Sequence, residues 1–153
     1  MNKLKLFLFS ISPFVIGYLL NYLITKLNWY GIRIFIFSIV FVLYWFFIGY
    51  KSYDYVENMK QSILIGNSFA IVSIILVLIQ EIILKRYLIN IIGFLSQMYY
   101  LPIMGLISVI LRKILFFASI QYMWYTYILS FALMIFIYYK GYIKKKLSKI
   151  EIE

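Results

Sequence analysis

Polar and charged residues are sparse along this chain and punctuate it at near-regular intervals. Between them lie charge-free, largely apolar runs over residues 6–25, 34–50, 61–80, 87–111 and 114–139. A helix needs about 20 residues to cross a hydrocarbon core of about 30 Å, and each run falls in or near that range. None shows the apolar–polar alternation of a barrel strand. Only helices and closed barrels satisfy their backbone groups in lipid. The pattern therefore predicts an all-α, polytopic transmembrane helical bundle. Its five spans, at about 6–25, 34–50, 61–84, 87–111 and 114–139, form one domain over 1–139, and a basic cytoplasmic tail follows over 140–153.

One run has a second reading. Pro102 stands in the middle of 87–111, with Gly93 and Gly105 on either side. A kinked full crossing keeps five spans, whereas a segment that dips and returns around Pro102 leaves four spans plus a re-entrant segment. Lys and Arg favour the cytoplasmic side, but they do not separate the two. Five spans with the tail inside place Lys26, Arg33, Lys85, Arg86 and five tail lysines (Lys140, Lys144, Lys145, Lys146, Lys149) inside, and the N-terminus outside. The re-entrant arrangement places Lys3, Lys5, Lys51, Lys60 and the same tail inside, with the N-terminus. Both give nine against six. Lys3 and Lys5 before an apolar run resemble signal-peptide anatomy, but no small-x-small cleavage site follows, and the segment is read as an uncleaved first span.

At about 100° per residue, the few polar and small residues within the runs gather on one face. They are Ser10, Pro13, Gly17 and Asn21 in the first run, and Gly66, Ala70, Ser73 and Gln80 in the third, with Asn67 and Glu81 at the edge. The fourth offers Asn90, Gly93, Gln97, Gly105 and Ser108, and the fifth Ser119, Tyr122, Thr126 and Ser130. The second has only Ser38 and Gly49 among large apolar residues, which predicts the most lipid-facing helix. An amide facing hydrocarbon without a partner costs a few kcal/mol, so Asn21, Asn67, Asn90 and Gln97 are expected to face other helices. Such stripes serve either as packing seams between helices or as the wall of a polar pocket. The pocket reading assigns ligand binding to Asn67, Gln97, Tyr100, Tyr122 and Thr126. Tyr99 and Tyr100, and Tyr122, Trp124, Tyr125 and Tyr127, lie mid-run. They either line such a pocket, for an amphipathic or cationic ligand, or mark the water interface of a broken run.

Composition removes the other classes. At 65% hydrophobic, 22% aromatic and 13% charged, the chain lies far from soluble domains and from disorder. With neither cysteine nor histidine, a disulfide scaffold and the commonest metal ligands and general base are excluded. No nucleophile elbow, phosphate-cradling glycine loop or zinc-protease spacing is present. No enzyme activity, cofactor or metal is expected. Glu81 alone among the acids is near a run. It is a candidate for ion coupling, or else pairs with Lys85 one helical turn on. The net charge of +10 is concentrated beside the last span, where it suits anionic lipid headgroups rather than nucleic acid. The excess of Lys over Arg, with abundant Ile, points to a bacterial source.

These readings combine into a multi-pass protein of the cell (cytoplasmic) membrane. It is expected to bind or translocate a small or amphipathic molecule, as the membrane subunit of a larger transporter. The alternative is an accessory, immunity or assembly factor that binds another membrane protein. Expected partners are the bilayer itself, a membrane protein, or further copies of the chain.

Overall fold

The computed structural model describes residues 2–56, 58–88, 90–114 and 124–150. Every regular element among them is helical: α1 (Asn2–Leu27), α2 (Ile32–Tyr55), α3 (Met59–Gly66), α4 (Ser68–Leu78) with a π-helical turn after it (Ile79–Ile83), α5 (Ile91–Ile114) and α6 (Trp124–Ile150). Four helices are long and apolar enough to cross a membrane: Lys3–Leu27, Ile32–Tyr55, Ile91–Leu111 and Trp124–Ile150. Met59–Gly66 and Ser68–Ile83, bent by 55°, make a fifth if the pair is one span. The apolar helices fit an integral membrane protein, as the charge-free runs predict.

Neither proline breaks its helix, and each has a neighbour at the carbonyl that it frees. Pro13 has no N–H for the Phe9 carbonyl. Ser12 Oγ donates to that oxygen at 2.7 Å, and the Tyr44 hydroxyl of α2 donates to Ser12 Oγ at 2.8 Å. Pro102 likewise frees the Met98 carbonyl, and Gly17 of α1 seats its bare backbone against it. A Cβ at Gly17 would overlap the Met98 carbonyl and stand 3.4 Å from Pro102 Cδ. Helix α5 runs unbroken through Pro102, as in the kinked crossing, and the alternative turn there does not form.

The discontinuity falls in the third run instead. Asn67, at φ −115° and ψ 17°, leaves the helical conformation, and its Nδ2 donates to the Ile63 carbonyl at 3.0 Å. The side chain thus competes with the backbone ladder at the point where α3 stops. Past α4, buried Gln80 organises the chain. Its Nε2 donates to Leu76 O (3.1 Å) and Ser96 Oγ (3.0 Å), and its Oε1 accepts the Leu88 N–H (2.9 Å). The π-helical winding, and the positive φ of 50° at Lys85, remove the one-turn spacing expected between Glu81 and Lys85. The ion pair among the described residues joins Lys149 to Asp54 at 3.6 Å. Asn90 is not buried between helices. It is exposed and caps the start of α5, accepting the Gly93 N–H at 2.8 Å.

Helix α2 is not the most lipid-facing of the long helices, which its sequence suggests it to be: α1 is less buried, although α2 too keeps Ile36, Val40, Leu43 and Phe47 exposed. Ser38, Phe41, Trp45, Ile48, Gly49 and Ser52 are buried, and the second half of α2 lies along α6. Gly49 and Gly141 remove side chains where the two backbones cross; a Cβ on Gly141 would stand 2.8 Å from Tyr50 N and 3.1 Å from Gly49 C. The contact relies on glycine and flat rings rather than on polar groups. The two helices run parallel. The Trp45 ring meets Tyr138 at 6.0 Å, Lys145 Nζ stands over Tyr50 at 4.9 Å, and Lys149 Nζ over Tyr53 at 4.9 Å. Helix α6 continues to Ile150, so Lys140 to Lys149 stand on a helix.

The remaining helices are ordered by the same contacts. Helix α1 is antiparallel to α2, with Phe9 beside Tyr55 (6.4 Å between ring centres) and Ser12 beside Tyr44. Its buried stripe of Leu6, Ser10, Pro13, Gly17 and Leu20 includes the predicted small residues. The chain between α2 and α6 starts with Ser62 donating to Ser52 near the end of α2. It reaches Gly31 and Ile32, at the beginning of α2, with Ser108 and Val109.

Candidate functional site

The interior polar groups form internal links. The Tyr138 hydroxyl donates to Ser62 O at 3.1 Å and lies 3.1 Å from Ser62 Oγ; Ser62 Oγ donates to Ser52 Oγ at 2.9 Å, and Ser52 Oγ to Gly49 O at 2.6 Å. Gly66 leaves the room that the Tyr138 hydroxyl occupies. Higher in the bundle the Tyr99 hydroxyl donates to Ser10 O at 3.2 Å and that of Tyr100 to Ala70 O at 2.6 Å. Their rings pack edge-on: Phe14 to Tyr99 at 4.8 Å, Tyr99 to Tyr100 at 5.3 Å, and Tyr100 to Tyr127 at 6.0 Å. A tyrosine in apolar surroundings needs a partner for its hydroxyl, and here helix carbonyls supply it. The mid-run tyrosines 99 and 100 are core residues, with no exposed surface.

The residues singled out from sequence are placed differently from one another. Asn67 is fully buried at the α3–α4 bend, and its Oδ1, like Trp45 Nε1, has no hydrogen-bond partner among the described residues. Tyr100 is in the core, and Gln97 is half-buried on α5 beside Ser96. Thr126 is half-buried in the first turn of α6, where its carbonyl accepts Ser130 Oγ at 2.8 Å. Among the described residues no hydrogen bond or ring contact joins these four to each other. Tyr122 and Ser119 lie outside the described residues. Glu81 is half-buried, with its carboxylate at the Trp124 backbone N–H that opens α6, where the helix dipole favours a negative charge.

A groove of about 540 Å³ lies elsewhere, between the start of α2 and the second half of α5. Gly31, Ile32, Ile34 and Phe35 form one wall, and Gly105, Ser108 and Val109 the other. Gly105 brings α5 onto α2, since a Cβ there would stand 2.6 Å from Ser38 Oγ and 2.7 Å from Ile34 O. Gly31, at φ 61°, turns the chain into α2, and nothing stands within 4 Å of where its Cβ would be. Ser108 Oγ donates to Gly105 O at 2.9 Å, which leaves its oxygen to accept from a ligand. Gly105 and Ser108 belong to the polar stripe of the fourth run. Ile32, Ile34 and Phe35 carry no such signal, because in sequence they look like any lipid-facing residues. The groove offers apolar surface and a single hydroxyl, which suits binding. Among the described residues no group of three or more His, Cys, Asp or Glu could hold a metal ion. Compared with known proteins, the chain matches no family model, no curated protein and no solved structure.

Proposed function

We propose that this chain is a non-enzymatic protein of a bacterial cytoplasmic membrane that binds a small amphipathic molecule in the α2–α5 groove. Within a larger transporter it would help to translocate that molecule. The observation that carries the reading is the groove itself. Its volume lies in the range of about 300–1,000 Å³ typical of small-molecule sites, and its walls are apolar with one hydroxyl. Tyr30 and Arg33, both exposed, stand in the adjoining residues and suit a polar or anionic head.

The proposed topology has four net crossings and both termini on the cytoplasmic side. Parallel α2 and α6 require one net return between them, shared by the bent α3–α4 pair and α5. The cytoplasmic end then holds Lys3, Lys5, Lys51, Lys60 and the five lysines of α6, in keeping with the positive-inside rule. The groove, at the start of α2, opens toward the opposite side.

The test is retention of small molecules by the detergent-purified protein, read by mass spectrometry of the extract. Wild type is expected to retain an amphipathic species near one per chain. Val109→Trp, which fills the groove from an exposed position, is expected to lose it with an unchanged far-UV circular dichroism spectrum. Equal retention in both, or none in either, would overturn the reading. A second reading, an accessory or immunity factor for another membrane protein, is favoured by the closed packing around Tyr99, Tyr100 and Tyr138. Co-purification of one membrane protein at fixed stoichiometry, with no small molecule retained, would support it instead.

A further inference from the structure

We infer that the end of the bundle where α2 and α6 finish is a binding surface for anionic phospholipid headgroups, built from four helices. The inference goes beyond the groove and is independent of it, resting on the parallel pairing of α2 and α6. That pairing brings nine of the 15 Lys and Arg residues to one end: Lys3 and Lys5 of α1, Lys51 of α2, Lys60 of α3, and Lys140, Lys144, Lys145, Lys146 and Lys149 of α6. Eight of the nine are exposed and Lys145 is half-exposed. Asp54 pairs with Lys149. With Glu57, Glu151 and Glu153 of the adjoining sequence also counted, nine positive charges against four negative leave a net +5.

Two features select a lipid surface over a soluble polyanion. Five of these lysines hold their ammonium groups over aromatic rings: Lys51 over Phe47 (5.8 Å), Lys140 over Phe136 (5.3 Å), Lys144 over Phe46 (5.8 Å), Lys145 over Tyr50 (4.9 Å) and Lys149 over Tyr53 (4.9 Å). Two of these rings, Tyr50 and Tyr53, are of the amphipathic kind that collects at the level of the lipid headgroups. A lysine stem lying along one keeps its charge at that depth, with N–H donors left for a phosphate. The basic positions of α6 are also interleaved with exposed apolar ones, Leu147 at 54% and Ile150 at 59%. Such a mixture suits the boundary between acyl chains and headgroups, where a charge and an apolar side chain are both accommodated.

The chain has no cysteine, so single-cysteine labelling of the full-length protein gives a clean test. Ser148→Cys and Asn28→Cys are labelled with bimane and reconstituted into phosphatidylcholine vesicles containing about one-third phosphatidylglycerol. The bromine quencher is carried by one lipid or the other. At position 148 brominated phosphatidylglycerol is expected to quench about threefold more than brominated phosphatidylcholine at equal mole fraction. At position 28 the two should quench alike. The combined Lys144→Gln, Lys145→Gln, Lys146→Gln and Lys149→Gln variant should lose the preference while keeping its helical circular dichroism. Equal quenching at position 148 would overturn the inference. So would a preference abolished by millimolar inorganic phosphate, which would assign the surface to a free anion. Labelling of Asn2→Cys and Ser148→Cys from opposite sides of the membrane would remove its premise.

Discussion

Gly141→Ala places one methyl group where α2 and α6 cross. The new carbon would stand 2.8 Å from Tyr50 N and 3.1 Å from Gly49 C, and closer still to the Phe46 carbonyl oxygen. All three are backbone atoms, and none can rotate away. Comfortable carbon contacts begin near 3.5 Å, so the helices must part by about 1 Å, a gap that forfeits a quarter to a half of each dispersion contact it opens. Overpacking of this kind costs about 1–3 kcal/mol. Better helix propensity returns up to about 1 kcal/mol. The net expectation is a loss of about 1–2 kcal/mol. Gly49→Ala, facing the Tyr138 backbone, should cost a similar amount. The double variant should cost less than the sum, because the first separation already makes room for the second methyl. The assay is unfolding of the purified protein in mixed micelles by titration with sodium dodecyl sulfate. Circular dichroism follows the helices, and tryptophan fluorescence adds a reporter at the contact itself, where buried Trp45 packs on Tyr138. An unchanged or raised midpoint for Gly141→Ala, or full additivity in the double variant, would refute the close parallel pairing.

Two further outcomes are expected. Asn67→Leu gives up the bond to Ile63 O, worth about 0.6 kcal/mol in a membrane interior, but also removes a buried, unpartnered oxygen whose burial costs about 1–3 kcal/mol. The variant should unfold at the wild-type midpoint or above it, and a loss beyond about 2 kcal/mol would mean that the oxygen has a bound partner. Glu81→Gln removes a negative charge from the start of α6 and should destabilise by about 0.3–1 kcal/mol in the same titration, with Glu81→Lys costing more. No difference between the two variants would contradict the placement of Glu81 at that helix end.

The helical class was legible because charge-free runs of spanning length leave the backbone no other way to satisfy its hydrogen bonds in lipid. The packing role of Ser10, Pro13, Gly17, Gly66, Ala70 and Ser73 was legible from their angular spacing. The site of the break was not. Pro102 carries the stronger local signal, yet its effect depends on what meets the freed Met98 carbonyl, and that is Gly17, 85 positions away in the chain. Asn67 carries a weak signal, since an asparagine in an apolar run reads equally well as an interhelical amide. The burial of α2 was hidden for a related reason: Trp45, Phe41 and Ile48 suit a protein neighbour and a lipid neighbour alike, and only Gly49 marks the contact. The groove combines a stripe on one helix with featureless residues on another, so half of it was visible. The charge arithmetic was tied between two topologies, and the direction of α6 relative to α2 is a tertiary fact that no local pattern encodes.

The alignment of α2 with α6 also bears on how the protein is made. Helices α1 and α2 leave the ribosome before α6 and can insert together as a hairpin, but the surface of α2 around Trp45 and Gly49 is matched by residues 138–145 of α6. Until residues 138–145 have been made, that surface must face lipid or a helper protein. The α2–α6 pairing is therefore a docking event between segments about 90 residues apart, the slow, non-local kind of contact. Chains cut short before Tyr138 would enter the membrane with α2 unmatched, and a membrane quality-control protease would meet them in that state.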